Sequence, residues 1–134
     1  MTSVFGRIIA GEIPGSFVHR DDVCVSFMTI NPIAPGHLLV VPRLEVDHWV
    51  DLPEDVAARV FAASHRISRA LTRVFSCERV GLVVAGYEVP HCHVHLVPTR
   101  SMADIDFSRA TAATDRAVLD EQAAAIAAAL EQPL

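Results

Sequence analysis

Hydrophobic positions in the first third of the chain come in short blocks broken by turn residues, whereas from Val56 onward they recur at steps of three and four. Phe17-Val18-His19 and Val23-Cys24-Val25-Ser26-Phe27 flank Arg20-Asp21-Asp22, which is the pattern of a β-hairpin. Asn31-Pro32 and Pro35-Gly36 then punctuate a loop, and His37 to Pro42 forms an unbroken apolar run between turn signals. That run reads as a buried strand, although period alone leaves a short helix open. Asp51-Leu52-Pro53-Glu54 carries the marks of a helix start: an aspartate cap, a proline in the first turn and a glutamate placed to close a capping box. The long helix it opens shows one apolar stripe, Val56, Val60, Ala63, Ile67, Ala70 and Val74, with arginines between, out to about Phe75. Arg79 to Ala85 and Val89 to Pro98 read as two strands joined through Gly86. Leu119, Ala123, Ile126 and Leu130 mark a shorter, alanine-rich C-terminal helix, and residues 101 to 114 show no period and read as loop.

A chain of 134 residues with 51% apolar content has the size and core of one domain, spanning 1–134. Sixteen acidic against 11 basic residues leave a formal charge of -5, with no basic run to track a phosphate backbone, so nucleic acid is excluded as a partner. All the basic residues are arginine; without lysine there is no Schiff-base chemistry. Cys24, Cys77 and Cys92 are odd in number and form no Cys-x-x-Cys pair, which points to a reducing cytoplasm rather than a disulfide framework. The N-terminal apolar stretch is broken by Arg7 and Gly11, and no run approaches the ~20 residues of a membrane span. A soluble, unprocessed chain is expected.

The seven histidines change the picture, because three of them stand in His91-Cys92-His93-Val94-His95-Leu96-Val97. In a strand, alternate side chains point to opposite faces, so His91, His93 and His95 would line one face while Cys92, Val94 and Leu96 enter the core. Such a row offers a nucleophile, a proton donor and hydrogen-bonding partners in one place. Metal binding is the first rival, but the outer two α-carbons would lie ~13 Å apart, too far for three imidazoles to bind one ion. A purely structural row would need partners for three half-polar buried rings. Catalysis is the favoured reading of the pattern, with the other two open.

This His-x-His-x-His with apolar residues between and after resembles the signature of the histidine triad (HIT) superfamily. Three further blocks stand in the family's order: Phe5 to Pro14, Asn31 to Pro42 and Ala85 to His91. The resemblance covers roughly residues 3 to 100 and is nearest to the Hint-like branch of homodimeric nucleotide hydrolases and transferases. It implies an α+β fold with a five-stranded, mostly antiparallel sheet, one long helix and one short C-terminal helix. It further implies a homodimer with sheets continuing across the interface. In the family the middle histidine, here His93, attacks the α-phosphorus of a nucleotide and forms a covalent nucleotidyl-imidazole that water hydrolyses. His91 and His95 would orient that ring, bind phosphate oxygens and help protonate the leaving group, and His37 matches a fourth active-site histidine. On its own, His37 reads more simply as a strand-opening residue bonded to a turn. The family's nucleobase slot maps to Val4, Phe5, Ile8, Ile13, Phe27, Ile30 and Leu39, all of which would otherwise pass as core.

The chain also departs from the family. Relatives with structural zinc carry an N-terminal Cys-x-x-Cys and a later histidine where this chain has Ser3, Gly6 and Glu45, so no metal and no cofactor is expected. The aspartate that binds both ribose hydroxyls is replaced by Thr29, which accepts less. Ahead of the triad, phosphate-contacting amide and hydroxyl positions are taken by Tyr87 and Glu88. A carboxylate beside a phosphate repels it by ~1 kcal/mol in water and more where dry. Nothing after residue 100 matches reliably. The substrate expected is a nucleoside monophosphate joined to an amine, acyl group or phosphate, with a binding module that has lost turnover as the alternative. Cys92 reads as a small core residue, and Trp49, His48, His19 and His65 as local packing or surface.

Overall fold

The computed structural model describes residues 2–133. Its centre is a sheet of β1 (Phe17–Arg20), β2 (Cys24–Met28), β3 (Leu38–Pro42), β4 (Arg79–Val83) and β5 (Val94–Thr99), in the spatial order β1-β2-β3-β5-β4. Every pairing is antiparallel. Three helices accompany it: α1 (Val4–Ile9), α2 (Glu54–Val74) and α3 (Arg116–Leu130). The α+β class, the hairpin, the strand after His37 and both later helices agree with the sequence pattern.

The period-two alternation sorts the strands' side chains between two cores. Cys24, Met28, Leu38, Val40, Val94 and Leu96 face α2 and α3, where they meet Val60, Ala63, Ile67, Leu71, Leu119 and Ile126. Val25, Phe27, Leu39 and Val41 face the other way and are covered by Phe5 of α1, with Ile8 and Ile9 packed against them. Because both faces are covered, β2 and β3 are buried at every position. Truncating a fully buried residue such as Ile67 to alanine costs about 2–5 kcal/mol in sites of this kind. The helix face therefore carries stability, and the α1 face carries the site.

Three local expectations are corrected. The capping box at Asp51 does not form: Trp49–Asp51 is a 3-10 turn, Leu52 is extended, and α2 starts at Glu54 with Pro53 at the cap and no side-chain cap bond. A proline disfavours the helical region for the residue before it, which keeps Leu52 out of the helix. The strand expected from Val89 starts only at Val94, because Pro90 has no donor and the Cys92 N–H is spent on the Val46 carbonyl at 2.7 Å. The triad thus straddles a loop and a strand rather than lining one strand. Helix α1 has no counterpart in the sequence pattern; it is six residues long, holds Gly6 and is capped by Ser3, whose side chain accepts from the Gly6 N–H.

One glycine fixes where β3 begins. Gly36 has φ +87°, and a β-carbon there would lie 2.8 Å from the Phe75 ring and 3.0 Å from Pro98. Only glycine turns the chain there, and the next residue is His37.

Candidate active site

The four histidines named from the sequence come together. The ring centroids of His93 and His95 lie 4.9 Å apart, and those of His37 and His95 5.2 Å apart. His95 sits in β5 between Leu39 of β3 and Val83 of β4. His93 is buried against the edge of Phe5, with centroids 4.9 Å apart.

Hydrogen-bond partners fix the ring tautomers. A carbonyl can only accept, so the 2.8 Å contact from His93 Nδ1 to the His91 carbonyl puts a proton on Nδ1 and leaves Nε2 with a free lone pair. The Ile33 N–H donates to His37 Nδ1 at 3.1 Å, which places the His37 proton on Nε2. That N–H donates to His95 Nδ1 at 3.0 Å, so His95 carries its own proton on Nε2. The pocket therefore holds one imidazole lone pair, on His93, beside one imidazole N–H, on His95.

Burial keeps this set neutral. Desolvation pulls the His37 pKa down to about 4. It pulls His95 down to about 3, with the neighbouring His37 and His93 acting the same way. His93 is lowered as well, first by desolvation, against the opposing pull of the His91 carbonyl and the Glu88 charge.

His91 is placed differently. It is fully buried; Nε2 donates to the Pro42 carbonyl at 2.7 Å and Nδ1 accepts from Ser3 Oγ at 2.7 Å. Both ring nitrogens are spent on the scaffold, so the link from His91 to His93 runs through its carbonyl oxygen. Glu45 completes this corner by accepting the Ser3 N–H at 2.6 Å, and its carboxylate lies 3.9 Å from His91 Nδ1. The three positions that replace the family's zinc ligands are thus neighbours. Their donor set does not fit zinc: Gly6 offers no ligand, a hydroxyl stands where a thiolate is needed, and the hydroxyl already occupies Nδ1.

The remaining candidates divide. Phe5, Phe27 and Leu39 are buried in the core beneath α1, with Ile8 packed against it. Val4 and Ile30 are exposed at 42% and 45%, and Ile13 and Thr29 are half-buried. Thr29 Oγ1 accepts the Asn31 N–H at 3.2 Å. Tyr87 is 96% exposed and Glu88 is exposed. Sequence reasoning missed Phe107, whose ring stands edge-on to His95 at 4.8 Å and 6.1 Å from His37. Phe107 reaches them because its segment is tied across the 30–32 loop: the Thr111 N–H donates to Pro32 O and the Thr114 N–H to Ile30 O.

Comparison with known proteins agrees with this architecture. The chain matches the HIT domain family over residues 10–102 and belongs to it. It is 32% identical over 108 residues to Protein hit of Bacillus subtilis, covering 75% of this chain and 73% of that protein. It is 30% identical over 102 residues to Adenylylsulfatase HINT3 of Arabidopsis thaliana, covering 72% of this chain but only 52% of that longer protein. A crystal structure of a Hit-like protein from Bartonella henselae superimposes with a TM-score of 0.85 at 29% identity over 95% of both chains. Members of the family thus include a hydrolase of a nucleotide compound. Among the described residues, no helix is long and apolar enough to cross a membrane.

Proposed function

We propose that the protein is a nucleotidyl hydrolase or transferase working through a covalent intermediate on His93, within one domain that spans the chain. The observation that carries this reading is the 2.8 Å bond from His93 Nδ1–H to the His91 carbonyl, which leaves the Nε2 lone pair on a ring kept neutral by burial. Attack forms a bond from Nε2 to the α-phosphorus and breaks the bond to the leaving group, which departs with the electron pair and takes a proton from solvent. Water then adds to phosphorus, frees Nε2 and releases the nucleoside monophosphate. His95 offers its Nε2–H to a phosphate oxygen. The adjacent His37 makes that N–H dependable, because its own N–H occupies Nδ1 of His95 and forces the proton outward. His91 is a positioning residue, and the nucleobase is assigned to the surface around Val4, Phe5, Ile8, Ile13, Phe27, Ile30 and Leu39, with Thr29 near the sugar.

The second reading, a nucleotide- or protein-binding module with little turnover, draws on Tyr87 and Glu88, which stand where relatives contact phosphate. Rapid quenching with an adenosine phosphoramidate followed by mass spectrometry separates the two. A nucleotidyl adduct on His93 that is absent from His93→Ala supports the enzyme. Nucleotide affinity with no turnover of any adenosine or guanosine phosphoramidate favours the binding module. The reading includes a homodimer, because β4 is an edge strand and Trp49, Phe61 and Leu82 beside it are exposed at 52%, 61% and 46%. It also includes a cytoplasmic setting, in keeping with three free cysteines.

A further inference from the structure

Away from the histidines, arginines gather on one flank of α2. Arg66, Arg69 and Arg73 are separated by three and four residues, the spacing that brings helical side chains to one face. With the end of α3 and His19 of β1 they line a groove of about 370 Å³, a size typical of small-molecule sites. Ile67 and Ala70, both buried, give it an apolar wall, continued by Ala129 and Leu130 of α3. The arginines differ in what they already hold. Arg73 donates to the carbonyls of Ala129 at 3.3 Å, Gln132 at 3.4 Å and Pro133 at 2.9 Å, which ties the end of α3 to α2. Arg59, two turns earlier, is paired with Asp22 at 2.8 Å and lies 3.6 Å from Asp21. Among the described residues, the guanidinium groups of Arg66 and Arg69 have neither a hydrogen-bond partner nor an ion pair. His19 Nε2 is spent on Asp21 at 2.8 Å, and Glu131, the carboxylate in the lining, pairs with none of the three arginines.

We propose that this groove binds a small organic phosphate, its phosphoryl group held by Arg66 and Arg69 and its organic part laid against the apolar wall. Each guanidinium presents a planar fork of donors that matches phosphate oxygens two at a time. A phosphate monoester has the charge and the oxygens to engage both forks, whereas a single carboxylate satisfies one. The chain as a whole carries a formal charge of -5, yet the groove sets three guanidinium groups against one carboxylate, so it is a local attractor for an anion on an otherwise acidic protein. Ile67, Ala70, Ala129 and Leu130 add apolar contact that a free inorganic ion cannot use. The groove shares no lining residue with those that open onto His93, nor with the apolar face around Trp49, Phe61 and Leu82. It therefore stays open in the homodimer proposed above and is independent of the nucleotidyl-transfer reading. Because the arginines are exposed, affinity should be modest and should fall with salt.

The test titrates the isotope-labelled full chain with phenyl phosphate, inorganic phosphate and benzyl alcohol while amide shifts are followed by NMR. Phenyl phosphate should move the signals of Ala70, Ala129 and Leu130 along a saturating curve; inorganic phosphate should move the same signals with weaker affinity, and uncharged benzyl alcohol should leave them in place. The paired change Arg66→Gln and Arg69→Gln, on an exposed helix flank, should weaken phenyl phosphate by roughly tenfold or more with the rest of the spectrum unchanged. Arg66→Lys with Arg69→Lys keeps the charge but not the fork and should fall between. Shifts that fail to saturate by about 10 mM, where a site of ~1 mM affinity is nearly full, overturn the inference. So do shifts confined to the surroundings of His93, or binding that survives the change to glutamine. Inorganic phosphate that binds as tightly as phenyl phosphate overturns the role given to the apolar wall.

Discussion

Ser3 is the point where the N-terminal helix, the loop of the triad and the replaced metal corner meet, and its removal has a calculable cost. Its hydroxyl accepts the Gly6 N–H at 2.9 Å, capping α1, and donates to His91 Nδ1 at 2.7 Å. Ser3→Ala loses the cap, worth about 1 kcal/mol. It also strands a ring nitrogen of a histidine with 0% exposure, at a cost of about 1–3 kcal/mol. The sum, about 2–4 kcal/mol, corresponds to a fall of roughly 6–14 °C in Tm for a chain of this length. Urea and thermal unfolding at fixed protein concentration would measure it, with Ser3→Thr, which keeps the hydroxyl, as the control. Activity should fall too, because a tilted His91 moves the carbonyl that holds His93 Nδ1–H. A Ser3→Ala protein within 0.5 kcal/mol of wild type, by the usual measure of a neutral surface change, would falsify the assignment of Ser3 as the pin.

The buried histidines set a pH dependence with a definite sign. His37 and His95 have pKa values of about 4 and about 3 when folded, against ~6.5 unfolded, so between these values the unfolded chain binds more protons. Stability should be full above pH 7 and fall as pH drops from 6.5 to 4.5, a window above most carboxylate titration; a flat profile there refutes the burial argument. The lowered pKa of His93 moves the acid limb of kcat/KM below pH 6.5, and a limb at or above that value would contradict it. Phe107→Ala uncovers His95, whose pKa should rise when its ring proton shifts are titrated by NMR; an unchanged titration would show that Phe107 does not desolvate it. Sedimentation at micromolar concentration should find a dimer, and a species of only 14.5 kDa would remove the homodimer.

How far the sequence reveals this arrangement depends on the range over which each feature is determined. The helix stripe from Val56 to Val74 and the alternation around Val94 and Leu96 are set by neighbours three, four or two residues away, so period exposes them. The histidines could be grouped for the same reason, and family resemblance added His37. What period cannot reveal is which atoms of a histidine are free. His91, His93 and His95 are interchangeable in the pattern, yet Ser3, from 88 residues away, and the Pro42 carbonyl, from 49 away, spend both nitrogens of His91. The Ile33 N–H fixes His37, and through it His95. Phe107 lies in a segment with no period at all, brought to the site by two backbone bonds to Ile30 and Pro32. The division of labour among identical side chains is therefore a tertiary property. The lone pair on His93 exists because a loop diverted by Pro90 and the Val46 carbonyl turns the His91 carbonyl towards Nδ1, and a continuous strand would have given that oxygen to its ladder instead.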